Sequence, residues 1–286
     1  MIIINKNQLT IPCTYQGGKQ RLAKYIIDII FERNTINKDT LFYDLCCGSG
    51  AITIELINRG INTENIIMLD ISSWGKFWNE IGKGTFNLDR FEKYINNIPK
   101  DKSEIQKHMQ DLSKLNANID EEYIYLLLQA SSFGGKQIWK QDDKWCNTSF
   151  RNYWLPTETS SRRSPVNPMM PMPDTLLQRV KNIQKHCEGL ICLNEDIHNI
   201  LNRNIKNKNA IIYIDPPYKN TTKYGFNFDI EKFIDELTKK VNIPIYISEG
   251  YEFSNQTIKL SKGREKGGIS GERRKKANEE WLNIFN

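Results

Sequence analysis

Residues 41–71 read LFYDLCCGSGAITIELINRGINTENIIMLDI, and this stretch decides the fold class. It begins with a short apolar run, residues 41–46, that predicts a buried strand, and a turn containing Gly48 and Gly50 follows. Residues 51–59 return to the apolar spacing of an amphipathic helix, and residues 66–71 form a second apolar run. Strand, glycine turn, helix and strand in this order predict a βαβ unit with parallel strands.

Further strand and helix patterns lie on both sides of this unit. Residues 21–31 place apolar side chains at helical spacing before the first strand, and residues 230–241 do so near the C-terminus. Short apolar runs at residues 190–193, 210–214 and 243–248 predict three more strands. We therefore predict an α/β fold, a Rossmann-like sheet with helices on both faces.

The strand pattern is interrupted between residues 73 and 174. This segment is rich in aromatic and polar residues, has a helical pattern at residues 121–131, and ends in RRSPVNPMMPMP at residues 162–173. Because proline fixes φ and removes a backbone donor, that last stretch is expected to lie outside regular structure. The sequence predicts residues 1–72 and 175–286 as two segments of one catalytic domain, and residues 73–174 as an inserted, mainly helical lobe.

The composition narrows the classes of protein. Forty Lys and Arg against thirty-four Asp and Glu give a net charge of +6, which is compatible with a polyanionic partner without requiring one. The six cysteines form no C-x-x-C pair and only three histidines are present, so no metal is expected. Since no apolar run has the length of a membrane span or a signal-peptide core, we expect the cytoplasm as compartment and no membrane partner. We also expect a monomer in solution.

The tetrad Asp215-Pro216-Pro217-Tyr218 directly follows the predicted strand at residues 210–214. A carboxylate oxygen of Asp215 and the carbonyl of Pro216 can accept both hydrogens of an exocyclic amine and direct its lone pair at a methyl donor. Tyr218 can stack on the base that carries the amine, which would have to be flipped out of a duplex. The tetrad thus indicates amino-group methylation, and an ordinary Asp-Pro turn is the alternative.

Other residues are suited to a nucleoside cofactor. The turn from Asp44 to Gly50 lets backbone approach a ligand, and Asp70, at the end of the next strand, is suitably placed for ribose hydroxyls. Lys19, in the turn YQGGK at residues 15–19, is a cation ahead of a helix N-terminus. Asp196-Ile197 follows the strand at residues 190–193 and can contact an adenine ring. Taken singly, each feature is equally compatible with a tight turn or a helix N-cap.

With these anchors in this order, the chain resembles the Dam-type, class alpha family of DNA adenine-N6 methyltransferases. Members carry Y-x-G-G-K, a glycine loop, a recognition domain and D-P-P-Y in that sequence. The resemblance extends to IPIYIS at residues 243–248 and to RRKKANEEWLNIF at residues 273–285. It implies S-adenosylmethionine (SAM) as cofactor, a SAM-dependent methyltransferase sheet, an inserted target-recognition lobe, double-stranded DNA as partner and no metal.

The resemblance also implies a role for each anchor. The catalytic residues that would hold the target adenine are Asp215, Pro216, Pro217 and Tyr218. The cofactor residues are Tyr15, Gly17, Gly18 and Lys19 near its methionine part, Asp44, Leu45, Cys46, Cys47, Gly48, Ser49 and Gly50 beneath it, Asp70 and Ile71 at the ribose, and Asp196 and Ile197 at the adenine. The DNA contacts are Lys136, Lys140, Lys144, Arg151, Arg273 and Arg274.

The chain departs from the family in two places. The glycine loop of the family often reads E-P-F-x-G-x-G, whereas residues 44–50 read DLCCGSG. The segment SFGGK at residues 132–136 stands where members carry an aromatic-Asn-Gly segment and a DNA-binding arginine, which leaves the target sequence open. About half of the nearby aromatic side chains are expected in the core of the lobe, among Trp139, Trp145, Phe150, Tyr153 and Trp154.

Two other functions stay open from the sequence. D-P-P-Y tetrads also act on other amines, so an RNA base methyltransferase or a DNA cytosine-N4 methyltransferase is compatible with the same residues. A DNA-binding module that has kept the fold and lost catalysis is the alternative of another class, although every expected active-site position is present here.

Overall fold

The computed structural model describes residues 8–205, 208–218, 228–261 and 279–286. Its helices are α1 (Ala23–Arg33), α2 (Ala51–Asn58), α3 (Ser73–Gly82), α4 (Leu88–Asn96), α5 (Ile105–Leu112), α6 (Glu121–Ser131), α7 (Pro173–Cys187) and α8 (Ile230–Thr238). Its strands are β1 (Leu41–Leu45), β2 (Ile66–Leu69), β3 (Trp139–Gln141), β4 (Lys144–Cys146), β5 (Ile191–Leu193), β6 (Ala210–Ile214), β7 (Ile245–Glu249), β8 (Gln256–Ser261) and β9 (Glu280–Phe285).

A seven-stranded sheet with the order β5-β2-β1-β6-β7-β9-β8 forms the centre of the molecule. The strands from β5 to β7 are parallel, β9 is antiparallel to β7, and β8 is antiparallel to β9. Leu45 at the end of β1 pairs with Leu69 of β2 and Ile214 of β6. The residues that follow these three strands therefore meet at one edge of the sheet, where the strand order reverses and a ligand crevice is expected.

Helices cover both faces of the sheet, as the sequence predicted. Along β1, Phe42 points into a core shared with α1, α2 and α3, whereas Tyr43 and Leu45 point into a second core shared with α8. This alternation follows from the two-residue period of a strand. The fold is thus a mixed α/β sandwich with a mostly parallel sheet, consistent with the predicted Rossmann-like sheet.

The segment predicted as an inserted lobe contains α4, α5, α6 and the β3-β4 hairpin. Its central helix, α6, is buried along nearly its whole length. α3, which begins this segment, packs on β2 and β5 as well as on α6, and its buried side chains belong to the same core as those of α6. The first helix of the segment thus covers the sheet, while a role of the rest in target recognition stays a prediction.

The predicted elements differ from the observed ones mainly at their ends. β6 and α6 coincide with the predicted ranges, whereas the helix expected over residues 21–31 runs from Ala23 to Arg33. The strand expected from residue 243 begins after Pro244, which has no N–H to donate to the sheet ladder. Residues 162–172 lie outside helices and strands, and Pro173 begins α7, a position where proline needs no intrahelical donor. No helix within the described ranges is long and apolar enough to span a membrane.

Candidate active site

A cleft of about 980 Å³, counting the space open to solvent at its mouth, lies at the carboxyl edge of the parallel strands. It is lined by the turn at residues 15–19, the loop after β1, the ends of β2 and β5, and the tetrad after β6. Every predicted cofactor and catalytic residue lines this cleft except Leu45 and Gly50. Segments that lie far apart in sequence are therefore brought together as the parallel strands require.

Leu45 and Gly50 do not line the cleft, which corrects their predicted place beside the cofactor. Leu45 is fully buried in the core on the α8 side of the sheet. Gly50 precedes α2 with a φ of 75°, and a Cβ at this position would lie 2.3 Å from Cζ2 of Trp78. The closeness of the α3 indole explains why glycine is needed there.

The loop after β1 is held in an unusual backbone conformation. Cys46 has a φ of 59° and Gly48 a φ of 49°, so two of three successive residues are left-handed. For a non-glycine residue such as Cys46 this conformation costs about 1 kcal/mol or more. The indole Nε1 of Trp78 donates to the Gly48 carbonyl at 3.0 Å, and the Gly48 N–H donates to Asp70 Oδ2 at 2.8 Å. The loop is thereby preformed beneath the cleft.

Two buried acids near this loop, Asp70 and Asp44, accept hydrogen bonds from N–H and O–H groups of the protein. Asp70 Oδ1 accepts hydrogen bonds from the Ser72 N–H at 2.8 Å and from the Ser72 hydroxyl at 2.6 Å. Asp44 accepts from the N–H of Thr53 at 3.2 Å and from its hydroxyl at 2.7 Å, which ties β1 to α2. Burial raises the pKa of Asp44 to about 7, although the bonds from Thr53 oppose this. Both residues line the cleft, and the contact of Asp70 with a ribose stays a prediction.

Lys19 contacts the tetrad, which the sequence did not predict. Its Nζ donates to Asp215 Oδ1 at 2.5 Å and to the Gly17 carbonyl at 2.9 Å, and the side chain is only 4% exposed. Burial alone would lower the pKa of the Lys19 ammonium, but the carboxylates of Asp215 and Glu280 outweigh burial and raise it. Burial raises the pKa of Asp215 to about 6, while Lys19 opposes the shift. At neutral pH the pair is therefore a charged carboxylate and a charged ammonium.

Glu280, the first residue of β9, completes this cluster and was missed by the sequence analysis. Its Oε1 accepts a hydrogen bond from the Tyr218 hydroxyl at 2.8 Å and lies 3.2 Å from Lys19 Nζ. The Lys19 ammonium lies 4.9 Å from the centroid of the Tyr218 ring. The resemblance of residues 273–285 to the closing segment of the Dam-type family was the one available signal, and it did not single out this acid.

The opposite end of the cleft carries Asp196 and Ile197. The Asp196 side chain accepts from the His198 N–H at 2.8 Å and so caps the short 3₁₀ helix Ile197–Asn202. The helix-cap interpretation is therefore correct for this residue, which also lines the cleft, and its contact with an adenine stays a prediction. His198 and Phe228 also line the cleft, and the sequence analysis did not identify either.

Gln137 is the contribution of the predicted lobe to the cleft, and it too was not foreseen. Its backbone carbonyl accepts from Asn147 Nδ2 at 2.6 Å, and the neighbouring Gly135 carbonyl accepts from the Gln16 N–H at 2.7 Å. The Gln137 side chain is 6% exposed, and its Oε1 has no hydrogen-bond partner among the described residues. A buried unpaired amide oxygen costs about 1–3 kcal/mol, and this oxygen is itself shielded from solvent, so the structure gives it no contact with a ligand in the cleft.

The predicted DNA contacts divide into different environments. Lys136 and Lys144 are exposed, whereas Lys140 forms an ion pair with Glu121 at 2.5 Å. Arg151 is only 8% exposed and points toward the Ala130 carbonyl, so its predicted contact with a phosphate is not supported. Arg273 and Arg274 lie outside the described residues.

The aromatic side chains interleaved with these cations also divide. Trp145 and Phe150 are buried in the core, Trp139 and Tyr153 are half-buried, and Trp154 is exposed. Within the described ranges, no group of His, Cys, Asp and Glu side chains is arranged to hold a metal ion.

No model of a known protein family and no curated protein matches the sequence. Among solved structures, the chain is similar to the rRNA methyltransferase AviRa from Streptomyces viridochromogenes, with a TM-score of 0.39 and 10% identity. That alignment covers 93% of this chain and 84% of the AviRa chain. A likeness at this level assigns neither an activity nor a substrate, so function has to be inferred from the residues of the cleft.

Proposed function

We propose that this protein is a SAM-dependent methyltransferase that acts on an exocyclic amine of a nucleobase, with N6 of adenine in double-stranded DNA as the target. One observation carries the proposal. The tetrad Asp215 to Tyr218 and the glycine loop after β1 leave neighbouring parallel strands and line the same cleft. An amine clamp and a backbone cradle for a nucleoside are thereby adjacent, as a transfer between two bound groups requires.

The residues of the cleft fit the cofactor that this activity needs. The loop after β1 lines the cleft and contains Gly48, which lets backbone approach a ligand, and the carboxylate of Asp70 at the end of β2 is suited to ribose hydroxyls. Asp196 and Ile197 would hold an adenine ring at the far end. When bound there, SAM supplies an activated methyl group on a sulfonium sulfur.

The tetrad would then orient the target amine. The ionised carboxylate of Asp215 and the carbonyl of Pro216 accept the two N–H bonds, which frees the nitrogen lone pair from the ring and directs it at the methyl carbon. In the transfer, the nitrogen lone pair would form the new N–C bond as the S–C bond of SAM breaks and S-adenosylhomocysteine leaves, and the methylated nitrogen would release one proton through the Asp215 carboxylate to water. The base must leave the helix for this geometry, at a cost of a few kcal/mol that stacking against Tyr218 helps to offset.

Duplex DNA and adenine are the finer part of the proposal, and they derive from the resemblance to the Dam-type family. The exposed Lys136 and Lys144 and the half-exposed Trp154 are available for phosphates and bases at the lobe. The main alternative is methyl transfer to a base in RNA, and an assay that offers both DNA and RNA distinguishes the two.

The direct test is transfer of a labelled methyl group from SAM to unmethylated duplex DNA, structured RNA and duplexes that lack adenine. We expect label in adenine-containing DNA, recovered as N6-methyladenine after digestion to nucleosides. Label in RNA alone would replace the DNA assignment and keep the amino-group clamp. DNA binding without transfer under any condition would instead favour the catalytically silent binding module.

The pH dependence follows from the raised pKa of Asp215. A protonated carboxyl would present an O–H where the amine needs an acceptor, so activity requires the ionised form. Because burial raises this pKa to about 6, kcat/KM should be constant above about pH 7 and fall about tenfold per pH unit below about pH 6. Circular dichroism at pH 5 serves as the control for unfolding, and an acid limb near pH 4 would contradict the prediction.

A further inference from the structure

We infer that Glu280 is a positioning residue for the proposed methyl transfer: through Lys19 it orients the carboxylate of Asp215, and through a direct hydrogen bond it holds the ring of Tyr218. This inference rests on the proposed function of the tetrad. It assigns a role in the active site to the last strand of the sheet, which neither the tetrad nor the glycine loop implies.

The contacts form a compact buried cluster. The Lys19 ammonium has three oxygen neighbours: the Gly17 carbonyl at 2.9 Å, Asp215 Oδ1 at 2.5 Å and Glu280 Oε1 at 3.2 Å. An ammonium has three hydrogens, so these three neighbours leave it little freedom to turn toward a ligand. The same Glu280 oxygen accepts the hydrogen bond of Tyr218 at 2.8 Å. The Glu280 carboxylate therefore contacts two groups: the Lys19 ammonium, which binds Asp215, and the hydroxyl of Tyr218, whose ring would stack on the base.

The antiparallel direction of β9 explains how residue 280 reaches the tetrad. β9 pairs with β7 in the opposite direction, with Trp281 opposite Glu249, so β9 begins at the edge where the parallel strands end. A Cβ at Gly250, just after β7, would lie 3.9 Å from both the Tyr218 ring and the Glu279 carbonyl. The start of β9 thus lies directly beside Tyr218.

The orientation has a consequence for the reaction. Because Lys19 binds Oδ1 of Asp215, the second oxygen, Oδ2, is the one that the target amine would contact. Without Glu280, Asp215 would be the one carboxylate paired with the Lys19 ammonium. The side chains of Lys19 and Asp215 could then change orientation together. The carboxylate would then sample orientations in which neither oxygen faces the amine, and positioning errors of this kind lower kcat more than they raise KM.

The charges around Asp215 give a readout that a merely structural role would not change. The turn at residues 15–19 contributes Lys19, and β9 contributes Glu280. Asp44 in β1, Cys46 just after it and Asp70 after β2 add further titratable groups. Among the described residues, Tyr213 and Tyr218 also interact with Asp215, and Glu249 interacts with Tyr218. Lys19 lowers the pKa of Asp215, whereas the negative charge of Glu280 raises it. Substituting the two residues should therefore move the titration of Asp215 in opposite directions.

The test compares Glu280→Gln, Lys19→Met and Glu279→Gln in the full chain. Glu279 is the matched control, since it is the exposed neighbour that pairs with Lys259 at 2.5 Å. For Glu280→Gln we expect kcat about tenfold lower, KM for DNA nearly unchanged, and the acid limb moved down by about one pH unit. For Lys19→Met we expect the limb to move up, and for Glu279→Gln we expect the wild-type profile. If Glu280→Gln has the wild-type kcat and acid limb, the inference is wrong.

A second measurement separates this inference from the proposed function. The titration of the Asp215 carboxylate can be followed by ¹³C NMR without any turnover, and the two shifts in opposite directions are expected there as well. If the wild-type protein transfers no methyl group but the NMR shifts are seen, the proposed function fails and the cluster stands. If Glu280→Gln does not fold, Glu280→Asp takes its place, with a smaller loss of kcat expected because the charge is kept.

Discussion

Replacing Asp215 by Asn is expected to lower the rate of methyl transfer by about 10³-fold, because one of two acceptors for the target amine is lost. Asparagine has nearly the same shape but turns one acceptor oxygen into an NH₂ group; when its remaining oxygen faces the Lys19 ammonium, which lies 2.5 Å from Asp215 Oδ1, the NH₂ group faces the amine N–H and repels it. Single-turnover transfer from labelled SAM measures the chemical step. Cofactor binding, measured by calorimetry, should change little, since Asp215 belongs to the clamp for the target.

The matched control for this substitution is Asp235→Asn on the exposed side of α8, which should transfer methyl groups at the wild-type rate. Thermal unfolding of Asp215→Asn distinguishes loss of chemistry from loss of fold. A variant that is folded, binds SAM and retains more than about a tenth of the activity would show that Asp215 is not the acceptor on which the proposal depends.

Replacing Gly75 by Ala is expected to destabilise the protein by about 3 kcal/mol, although alanine in a helix is ordinarily favoured over glycine by about 1 kcal/mol. A Cβ at Gly75 would lie 1.9 Å from the Asp70 carbonyl oxygen and 2.6 Å from Asn194 Nδ2. Asn194 donates to that same carbonyl at 2.9 Å, so the added carbon would force α3 away from the ends of β2 and β5. Calorimetric unfolding should show a midpoint lower by roughly 5–10 °C.

The same substitution should weaken SAM binding, because Asp70 and the loop after β1 are held through α3. Gly134→Ala is the comparison: no atom of the described residues lies within 4 Å of its Cβ, and only its φ of 68° opposes the change, at a cost of about 1 kcal/mol. A Gly75→Ala protein as stable as the wild type would mean that α3 can shift without loss of stability, and this result would contradict the prediction.

The arrangement of strands and the location of the cleft could be predicted from local sequence patterns. The range of β6 was predicted correctly because five successive apolar residues followed by Asp-Pro-Pro favour a buried strand that ends before the aspartate. Parallel strands end at one edge, so the loop after β1, Asp70 and the tetrad were expected to meet there, and they line one cleft. The apolar alternation of β1 likewise predicts which of its side chains face each core.

The individual contacts inside the cleft could not be predicted in this way. Gln137 follows a 3₁₀ turn in the predicted lobe, and nothing in its local sequence distinguishes it from other polar lobe residues. Arg151 looked like a surface cation but is buried beside the Ala130 carbonyl, since the burial of a long side chain depends on which segments pack over it. Gly50 belonged to the correct loop, yet the side of the loop that it faces depends on the position of Trp78, whereas Leu45 faces the core on the α8 side because it ends β1.

The sequence alone determined the α/β class, the carboxyl-edge cleft and the identity of its main anchors, because these follow from short-range periodicity and from the common edge of parallel strands. Only the tertiary structure decided that Lys19 contacts Asp215, 196 positions away, and that Glu280 contacts both Lys19 and Tyr218. These contacts depend on β9 entering the sheet antiparallel beside β7. The energy of these side-chain contacts comes from charged groups that approach each other only after the whole sheet has formed. No local sequence pattern therefore predicts them.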